Sequence, residues 1–307
     1  MKKRSTVILI SLALLLLIAA LVLFFTLREP KAPETMLSPD DGEEMHLVWH
    51  DEFDDPDSVS RVDTRERTDA LDGVKWNLRA KMNQGDIENG RDDHNVAIEK
   101  GNLVMRTWKE GEGQYSTNTS VTTDGVMSYR YGYLEMRANV PFQKGCWPSF
   151  WMQSKDTRRT ADYMTEIDMF EVFGSPNTIE SAVHKWYKYD HFSLDGGDFK
   201  FKTKSDLNGE YHLYGMGWTP DELYFTADGE IYSRFSLTED FGIYGDGMDG
   251  FRDPIYIIFN NFIFTDGSSW KQPTVTENTV WPVTYKIDWI RLYQKDGEGE
   301  VYSDLGD

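Results

Sequence analysis

Runs of alternating apolar and polar residues recur after residue 45, and this period of two constrains the fold more than any other feature of the chain. Side chains of a strand alternate between two faces, so the pattern is typical of strands that bury one face. The clearest runs are 102–107, 131–138, 222–226, 254–259 and 284–293. Turn signals separate them, and Asp228-Gly229 predicts a tight hairpin. Few segments keep helical spacing, so we expect an all-β domain of two packed antiparallel sheets.

The N-terminus predicts a membrane segment. Three basic residues at positions 2–4 precede an apolar run from Val7 to Phe25. About 20 such residues are enough for a helix to cross a bilayer, and the basic flank favours a cytoplasmic N-terminus with an exported body. Ala19-Ala20 is followed by Leu-Val-Leu-Phe-Phe, which is a poor cleavage site. We therefore expect residues 1–27 to be an N-terminal transmembrane helix, a single-pass signal anchor that leaves the body extracellular. A cleaved signal peptide on a secreted protein is the alternative.

Composition divides the rest of the chain into three parts. Residues 28–45 are rich in proline and acid and predict a flexible stalk. Residues 46–296 fit one large β domain, and 297–307 read as an acidic tail. The single cysteine, Cys146, excludes an intrachain disulfide framework, so we expect it to be a small buried residue.

The net charge of the chain limits the classes of partner that it can bind. A formal net charge of −20 argues against nucleic acid and against polyanions generally, because like charges repel during approach. The charge says little about a neutral substrate. We expect a monomer with no nucleic-acid partner, tied to the membrane through its N-terminal helix.

The hexapeptide Glu166–Glu171 carries three carboxylates on an otherwise apolar segment. In a regular strand Glu166 and Asp168 share a face and Glu171 points to the other one. One extra residue, a β-bulge at Met169-Phe170, returns Glu171 to the side of the first two acids. Three interpretations compete: a solvated strand face, a divalent metal site, and a glycoside hydrolase that uses two carboxylates. The apolar neighbours disfavour a surface strand, and the segment lacks the turn residues typical of calcium loops.

Two tryptophans lie near the acidic segment on one predicted strand face. Trp147, Ser149 and Trp151 share that face, and Phe150 points to the other. Core packing is the usual role of aromatic residues in a β-sandwich. Flat indole rings also stack on the apolar faces of pyranose sugars, and we favour this sugar-binding role for the pair.

With these motifs the chain resembles glycoside hydrolase family 16, which contains laminarinases, lichenases, agarases and carrageenases. The Glu-x-Asp-x-x-Glu pattern stands at 166–171. Further similar segments follow in the family's order: His50-Asp51-Glu52-Phe53-Asp54, 131–138, Trp147-Pro148-Ser149-Phe150-Trp151 and 287–293. The resemblance implies a β-jelly-roll sandwich with a concave substrate cleft and a retaining mechanism. It also implies that Glu166 is the nucleophile and Glu171 the general acid/base, with Asp168 between them to tune their protonation.

A retaining mechanism sets a geometric condition. The two carboxyl groups need to lie about 5–5.5 Å apart, one ionised and one protonated. Crowding three acids raises the pKa of at least one of them, because like charges disfavour joint ionisation. We therefore expect Glu166 and Glu171 to converge over Asp168 on one face of the sheet, and opposite faces would contradict the hypothesis.

The resemblance also implies residues that bind substrate. His184 and Asn260 match cleft positions of laminarinase-like members, although a structural role for the histidine is an equal alternative. The continuation at 261–267 departs from the family pattern, and Ser120 stands near a position where many laminarinases carry an arginine. These departures concern the identity of the sugar rather than the reaction.

Some family members bind a structural calcium ion. Asp288 matches the family's ligand on the last strand, with Glu52 and Gly101 as partners; a plain surface charge at Asp288 is the alternative. No cofactor is expected to be required for the reaction.

These features together predict an endo-acting, retaining hydrolase of β-linked polysaccharide. We expect its substrate to be a β-1,3-glucan (laminarin) or a mixed β-1,3/1,4-glucan. A non-catalytic glucan-recognition module, a transglycosylase and a galactan hydrolase acting on agar or carrageenan remain alternatives on the same fold. The retention of both glutamates favours an enzyme over the recognition module.

Overall fold

The computed structural model describes residues 32–63, 73–79, 87–90, 93–118, 120–154, 163–174, 177–187, 191–194, 200–202, 207, 209–238, 251–265 and 273–303. The chain separates into two units, Met1–Glu34 and Thr35–Asp307. The predicted anchor over 1–27 lies outside the described residues. Among those that are described, no helix has the length and apolar character needed to span a membrane.

The described part of the second unit consists of strands and one 3-10 helix, Pro56–Ser58. The strands are β1 (Thr35–Leu37), β2 (Glu44–Asp51), β3 (Val59–Asp63), β4 (Trp76–Arg79), β5 (Ile87–Gly90), β6 (Val96–Ile98), β7 (Leu103–Gly111), β8 (Gln114–Asn118), β9 (Ser120–Thr122), β10 (Met127–Arg130), β11 (Gly132–Asn139), β12 (Cys146–Ser154), β13 (Tyr163–Glu171), β14 (Thr178–Tyr187), β15 (His191–Leu194), β16 (Lys200–Lys202), β17 (His212–Trp218), β18 (Glu222–Ala227), β19 (Glu230–Ser236), β20 (Ile255–Ile263), β21 (Val283–Gln294) and β22 (Glu300–Ser303). Every alternating run singled out in the sequence coincides with one of these strands to within one residue, which confirms the all-β prediction.

The strands form two sheets. Sheet I has the order β19-β18-β17-β11-β21-β7-β8-β5, with β1, β2 and β6 attached beside it. Sheet II has the order β15-β14-β13-β12-β20-β9-β4-β3, with β10, β16 and β22 attached. The expected antiparallel pairing holds through the body of both sheets. The prediction of antiparallel pairing is wrong for two pairs of strands, β3–β4 and β5–β8, which are parallel. For β5 and β8 the reason is that β6 and β7 intervene in the chain and bring β8 back in the direction of β5.

The predicted hairpin between β18 and β19 is confirmed. Asp228 has φ 49° and Gly229 has φ 80°. Two successive residues with positive φ make a type I′ turn, whose twist matches that of the flanking strands. Glycine adopts this conformation without the steric penalty of a Cβ atom.

The core lies between the two sheets. Phe170 of β13 packs against Tyr214 and Tyr285 of sheet I, with ring centroids 4.8 and 6.4 Å apart. Ile167 and Phe150 are also fully buried. Burying an aromatic or aliphatic side chain of this size contributes about 1.5–3 kcal/mol, so the apolar half of the acidic segment anchors β13 firmly. Cys146 is buried, as predicted.

One polar side chain connects the two sheets through this core. Asn261 of β20 is fully buried, and its Nδ2 donates to the carbonyl oxygens of Met105 and Val283 in sheet I, at 3.2 and 3.0 Å. The backbone carbonyl of Asn261 in turn accepts from Thr107 Oγ1 at 2.6 Å. The residue therefore ties sheet II to sheet I at the strand that also carries Asn260.

The predicted flexible stalk over 28–45 is wrong for its second half. Thr35 pairs with His46, so β1 and β2 form a hairpin at the edge of sheet I. Lys295 Nζ binds the carboxylates of Asp41 and, at 2.9 Å, Glu43. Two of the acidic residues that suggested a solvated linker are thus paired with a lysine that directly follows β21 of sheet I.

The predicted acidic tail over 297–307 also begins inside the fold. Residues 300–303 form β22, which pairs along its whole length with β10. Arg130 Nη2 donates to Glu300 Oε2 at 2.7 Å and fixes the end of the strand. Backbone pairing outweighs the polar composition that suggested a tail.

Candidate active site

The acidic segment forms β13, and its regular pairing is interrupted at Met169. Along β12 the register passes from Phe150↔Phe170 to Trp151↔Asp168. Along β14 it passes from Asp168↔Ala182 to Glu171↔Glu180, so two residues of β13 lie opposite one residue of β14. The bulge predicted at Met169-Phe170 is therefore present.

The register shows which way the acids point. Residues directly opposite each other in an antiparallel pair share a face. Ser149 is the partner of both Glu171 and Asn260, while Glu166 lies between Gln153 and His184. Ile167 and Phe170 point into the core between the sheets. Glu166, Asp168 and Glu171 therefore lie on the face of sheet II that points away from the core, which we call the outer face.

Glu171 is the carboxyl group most perturbed by this arrangement. Trp147 Nε1 donates to its Oε1 at 2.7 Å. Burial raises the pKa of Glu171 well above its usual 4.5, and the negative charges of Asp168 and Glu166 raise it further. The hydrogen bond from Trp147 acts in the opposite direction because it favours the ionised form. Glu171 thus keeps its proton at a pH where an isolated glutamate loses it.

Glu166 is held by a residue that the sequence analysis missed. Gln153 Nε2 donates to Glu166 Oε2 at 3.1 Å. Tyr256 OH donates to Gln153 Oε1 at 2.7 Å, so the amide is oriented with its nitrogen toward the glutamate. The signal was available in the sequence. Continuing the alternation of Trp147, Ser149 and Trp151 by one step along β12 leads to Gln153.

Asp168 is bound by the predicted histidine. His184 Nε2 lies 2.9 Å from Asp168 Oδ2, and the Asp168 side chain is almost completely buried. His184 Nδ1 lies 2.9 Å from His191 Nε2 on the adjacent strand β15. The His191 ring stacks on Trp186 at 3.7 Å with an interplanar angle of 8°. His191 reaches His184 through the pairing of β14 with β15, which no sequence motif indicates, whereas Trp186 follows His184 by two residues on β14 and shares its face.

The three predicted sugar-binding residues on β12 and β20 differ in their surroundings. Trp147 is partly buried, and its ring stacks on Phe264 at 5.0 Å. Trp151 and Asn260 are only 6% and 2% exposed. Trp151 Nε1 donates to Asn260 Oδ1 at 2.7 Å, and Asn260 Nδ2 donates to Ser149 Oγ at 2.5 Å. Trp151 and Asn260 are therefore buried and bound to each other. Trp147 contacts an acid directly through its hydrogen bond to Glu171.

The residues proposed for calcium already have cationic partners. Arg137 Nη1 donates to Asp288 Oδ2 at 2.6 Å. Arg291 donates to both oxygens of Glu52, at 3.0 and 2.8 Å. Gly101 lies in the turn between β6 and β7 with φ 72°. Since both carboxylates are neutralised by arginine, this donor set does not fit a resident cation. The calcium site stays a prediction that these contacts disfavour.

The outer face thus combines Glu171, whose pKa is raised, with Glu166, which accepts a hydrogen bond from Gln153. Enzymes that cleave glycosidic bonds use a pair of carboxyl groups, one of which donates a proton. Asp168 supplies the negative charge between the two glutamates, and His184 holds Asp168 in place.

Comparisons with known proteins agree with this chemistry. Residues 79–291 match the family model described as glycosyl hydrolases family 16. The chain is 24% identical over 276 residues to glucan endo-1,3-β-glucosidase A1 of Niallia circulans, covering 82% of this chain but only 38% of that protein. It is 28% identical over 260 residues to a β-glucanase of Rhodothermus marinus, covering 81% and 85% of the two chains.

A solved structure shows the same fold. SCLam, a non-specific endo-β-1,3(4)-glucanase from family 16, superposes with a TM-score of 0.63 and 27% identity over 86% of this chain and all of the other. The family match covers more than half of the chain and includes the bulged strand with its three acids. The chain therefore belongs to glycosyl hydrolase family 16.

Proposed function

We propose that the protein is an endo-acting, retaining hydrolase of β-1,3-glucan or mixed β-1,3/1,4-glucan. The observation that carries this proposal is the pairing of Glu171, whose pKa is raised, with Glu166 on the same outer face. The names of the two curated relatives and of the superposed glucanase support the choice of a β-glucan.

The reaction proceeds by double displacement. Glu171 donates its proton to the glycosidic oxygen while ionised Glu166 attacks the anomeric carbon, so the leaving chain departs as an alcohol and the sugar is joined to Glu166. Glu171, now ionised, then takes a proton from water. The resulting hydroxide equivalent attacks the anomeric carbon and releases Glu166. The second step therefore returns both carboxyl groups to the states in which they began, Glu171 protonated and Glu166 ionised.

The surrounding residues support these two states. Gln153 donates to Glu166 and orients it for attack. Trp147 donates to Glu171 and stabilises the carboxylate that appears once the proton has been transferred. Asp168, bound by His184, keeps a negative charge beside Glu171 and so favours its protonated form before the first step.

The proposal is tested with laminarin, lichenan, agarose and carrageenan as substrates for the wild type, Glu166→Gln and Glu171→Gln. We expect turnover of laminarin or lichenan by the wild type, retention of anomeric configuration in the first product by ¹H NMR, and loss of turnover in both variants. Unchanged turnover in Glu166→Gln would remove that residue from the mechanism. Binding without turnover in the wild type would establish the glucan-recognition module instead.

The same assay separates the two remaining alternatives. Turnover confined to agarose or carrageenan would identify a galactan hydrolase. Products longer than the substrate, formed when an oligosaccharide acceptor is added, would identify a transglycosylase, because the covalent sugar then passes to a sugar rather than to water.

We further propose that residues 1–27 hold the enzyme as a monomer in the cell membrane with its catalytic domain outside. The basic flank and the apolar run from Val7 to Phe25 support this orientation. Fractionation of cells expressing the full chain, followed by protease treatment of intact cells, tests it. A protein in the membrane fraction that intact-cell protease digests is expected; a shortened protein in the medium would establish the secreted alternative.

A further inference from the structure

At the bulge of β13, the backbone carbonyl of Met169 accepts a hydrogen bond from a side chain. Among the described register pairs Met169 has no Cα partner on β12, and it shares the position opposite Ser181 with Phe170. Met169 is 1% exposed, so water does not reach its backbone freely. A buried carbonyl without a partner is destabilising, and a bulge in a sheet interior therefore needs a donor from elsewhere.

Two hydroxyl groups supply that donor. Ser181 Oγ donates to the carbonyl of Met169 at 2.8 Å. Tyr232 OH lies 2.6 Å from Ser181 Oγ and 3.4 Å from the same carbonyl. A serine hydroxyl has one proton, and here the carbonyl receives it. The short contact between the two hydroxyls is therefore a donation from Tyr232 to Ser181.

The chain of hydrogen bonds crosses the sandwich. Ser181 belongs to β14 of sheet II, and Tyr232 belongs to β19 of sheet I. The Tyr232 ring is wedged between Phe201 and Phe225, at 5.2 and 6.3 Å. Burial raises the pKa of Tyr232, so its hydroxyl stays protonated and remains a donor. The bulge is thus held by an anchor on the opposite sheet.

We propose that Ser181 and Tyr232 are positioning residues that hold the Met169 bulge and thereby set the placement of Glu171 relative to Asp168. The inference rests on the proposed function, in which these two acids take part in the chemistry. Asp168 precedes the held carbonyl by one residue and Glu171 follows it by two. A rotation of that one peptide changes the direction of both side chains.

The effect of losing the hydroxyls is specific. Without them the Met169 peptide is free to turn toward other donors, and Glu171 moves away from Asp168 and from its buried position. Both causes of its raised pKa then weaken, so the pKa of Glu171 falls toward that of an ordinary glutamate. Substrate contacts on β12 and β20 do not depend on this peptide, so binding is retained while the chemical step slows.

The test uses Tyr232→Phe and Ser181→Ala, each of which removes a hydroxyl and leaves the surrounding packing in place. Tyr133→Phe is the matched control, because Tyr133 OH lies 2.8 Å from Thr226 Oγ1 and donates to Glu135 Oε1 at 3.1 Å on sheet I, away from the bulge. We expect kcat on laminarin to fall about tenfold in Tyr232→Phe and up to a hundredfold in Ser181→Ala, with KM within about twofold of wild type. We expect the alkaline limb of the pH–rate profile to move to lower pH in both variants. In Tyr133→Phe we expect both kcat and the alkaline limb to stay as in wild type.

A second measurement does not depend on the substrate. The carboxyl group of Glu171 is titrated by ¹³C NMR in the wild type and the three variants, with assignment by Glu171→Gln. A lower pKa in Tyr232→Phe and Ser181→Ala than in wild type supports the proposal even if no glucan is cleaved, an outcome that overturns the proposed function alone. Variants that melt at lower temperature but keep the wild-type titration, kcat and alkaline limb would show that the hydroxyls only stabilise the fold.

Discussion

At the residue scale, the protonation of Glu171 results from burial and from neighbouring residues that shift its pKa in opposite directions. Burial and the charge of Asp168 favour the neutral acid, and the indole N–H of Trp147 favours the anion. A general acid needs to be protonated for the first step and ionised for the second, so a balance of opposing influences suits both. The crowding of acids was predictable from the sequence, whereas the sequence pattern predicted only sugar stacking for Trp147.

The raised pKa of Glu171 predicts a stability change with pH. In the folded state the carboxyl keeps its proton above pH 4.5, whereas in the unfolded chain it releases it, so folding stability is lost as pH rises from about 4.5 through the raised pKa. Glu171→Gln cannot ionise and avoids this loss. We expect its melting temperature to exceed that of wild type by about 2–4 °C at pH 7 and to match it below pH 4. Differential scanning calorimetry measures both.

Glu112→Gln serves as the control for that comparison, since Glu112 is exposed in the turn between β7 and β8. We expect the melting temperature of Glu112→Gln to equal that of the wild type at both pH values. A Glu171→Gln variant that melts below wild type at pH 7 would contradict the electrostatic account.

The hydrogen bond from Trp147 predicts a shift in the pH–rate profile. Trp147→Phe keeps an aromatic ring against Phe264 but removes the N–H that stabilises ionised Glu171. The pKa of Glu171 should therefore rise, and the alkaline limb of kcat/KM should move up by about one pH unit, the effect of a hydrogen bond to a charged group. Trp151→Phe is the matched control, because its N–H donates to Asn260 instead. A limb that moves to lower pH in Trp147→Phe would refute the assignment.

At the element scale, β13 serves both faces of sheet II. Ile167 and Phe170 lock the strand onto the core, while the bulge brings Glu166, Asp168 and Glu171 to the outer face. This division was predictable from the sequence. With a period of two, Glu171 would lie on the face opposite Glu166 and Asp168 unless a bulge shifted the register. The donors that hold the bulge were not predictable, since they come from other strands.

Strand β22 gives a prediction about a segment that composition suggested was a tail. It pairs four residues with β10, and β10 is otherwise joined to the described part of sheet II by the single register pair Tyr129↔Ile255. Removing residues 300–307 should therefore loosen β10 and lower the melting temperature by about 3–6 °C. At 25 °C the kcat should be unchanged, because β10 carries none of the acids. Removing only residues 304–307 is the control, and an equal loss in both truncations would mean that β22 contributes nothing.

At the scale of the whole molecule, the sandwich depends on polar contacts that cross its core. Asn261 donates from sheet II to two carbonyl oxygens of sheet I. Ser181 and Tyr232 make a second crossing beneath the acidic strand. These contacts fix how the two sheets sit against each other, which apolar packing alone leaves less specific.

Asn261→Leu tests the first crossing. The substitution keeps the side-chain volume but leaves the carbonyl oxygens of Met105 and Val283 without this donor in the core. We expect the free energy of unfolding to fall by about 2–4 kcal/mol, since each buried group that loses its partner costs about 1–3 kcal/mol. Denaturation by guanidinium chloride measures it. Asn278→Leu, at an exposed turn, is the control, and a loss below about 0.5 kcal/mol in Asn261→Leu would show that water or local shifts replace its contacts.

The sequence by itself determined the strands, the bulge and the identity of the three acids, because each of these follows from local alternation along one segment. Only the tertiary structure decided which residues control those acids. His191 and Ser181 act on them through the pairing of β14 with its neighbouring strands, and Tyr232 meets Ser181 from the opposite sheet, 51 positions away in the chain. Tertiary contacts likewise placed arginines on Asp288 and Glu52 and drew residues 35–45 into sheet I. The alternation of residues along a strand specifies the face on which a side chain lies. The protonation of a carboxyl group, in contrast, depends on charges and hydrogen-bond donors that only the folded structure brings close to it.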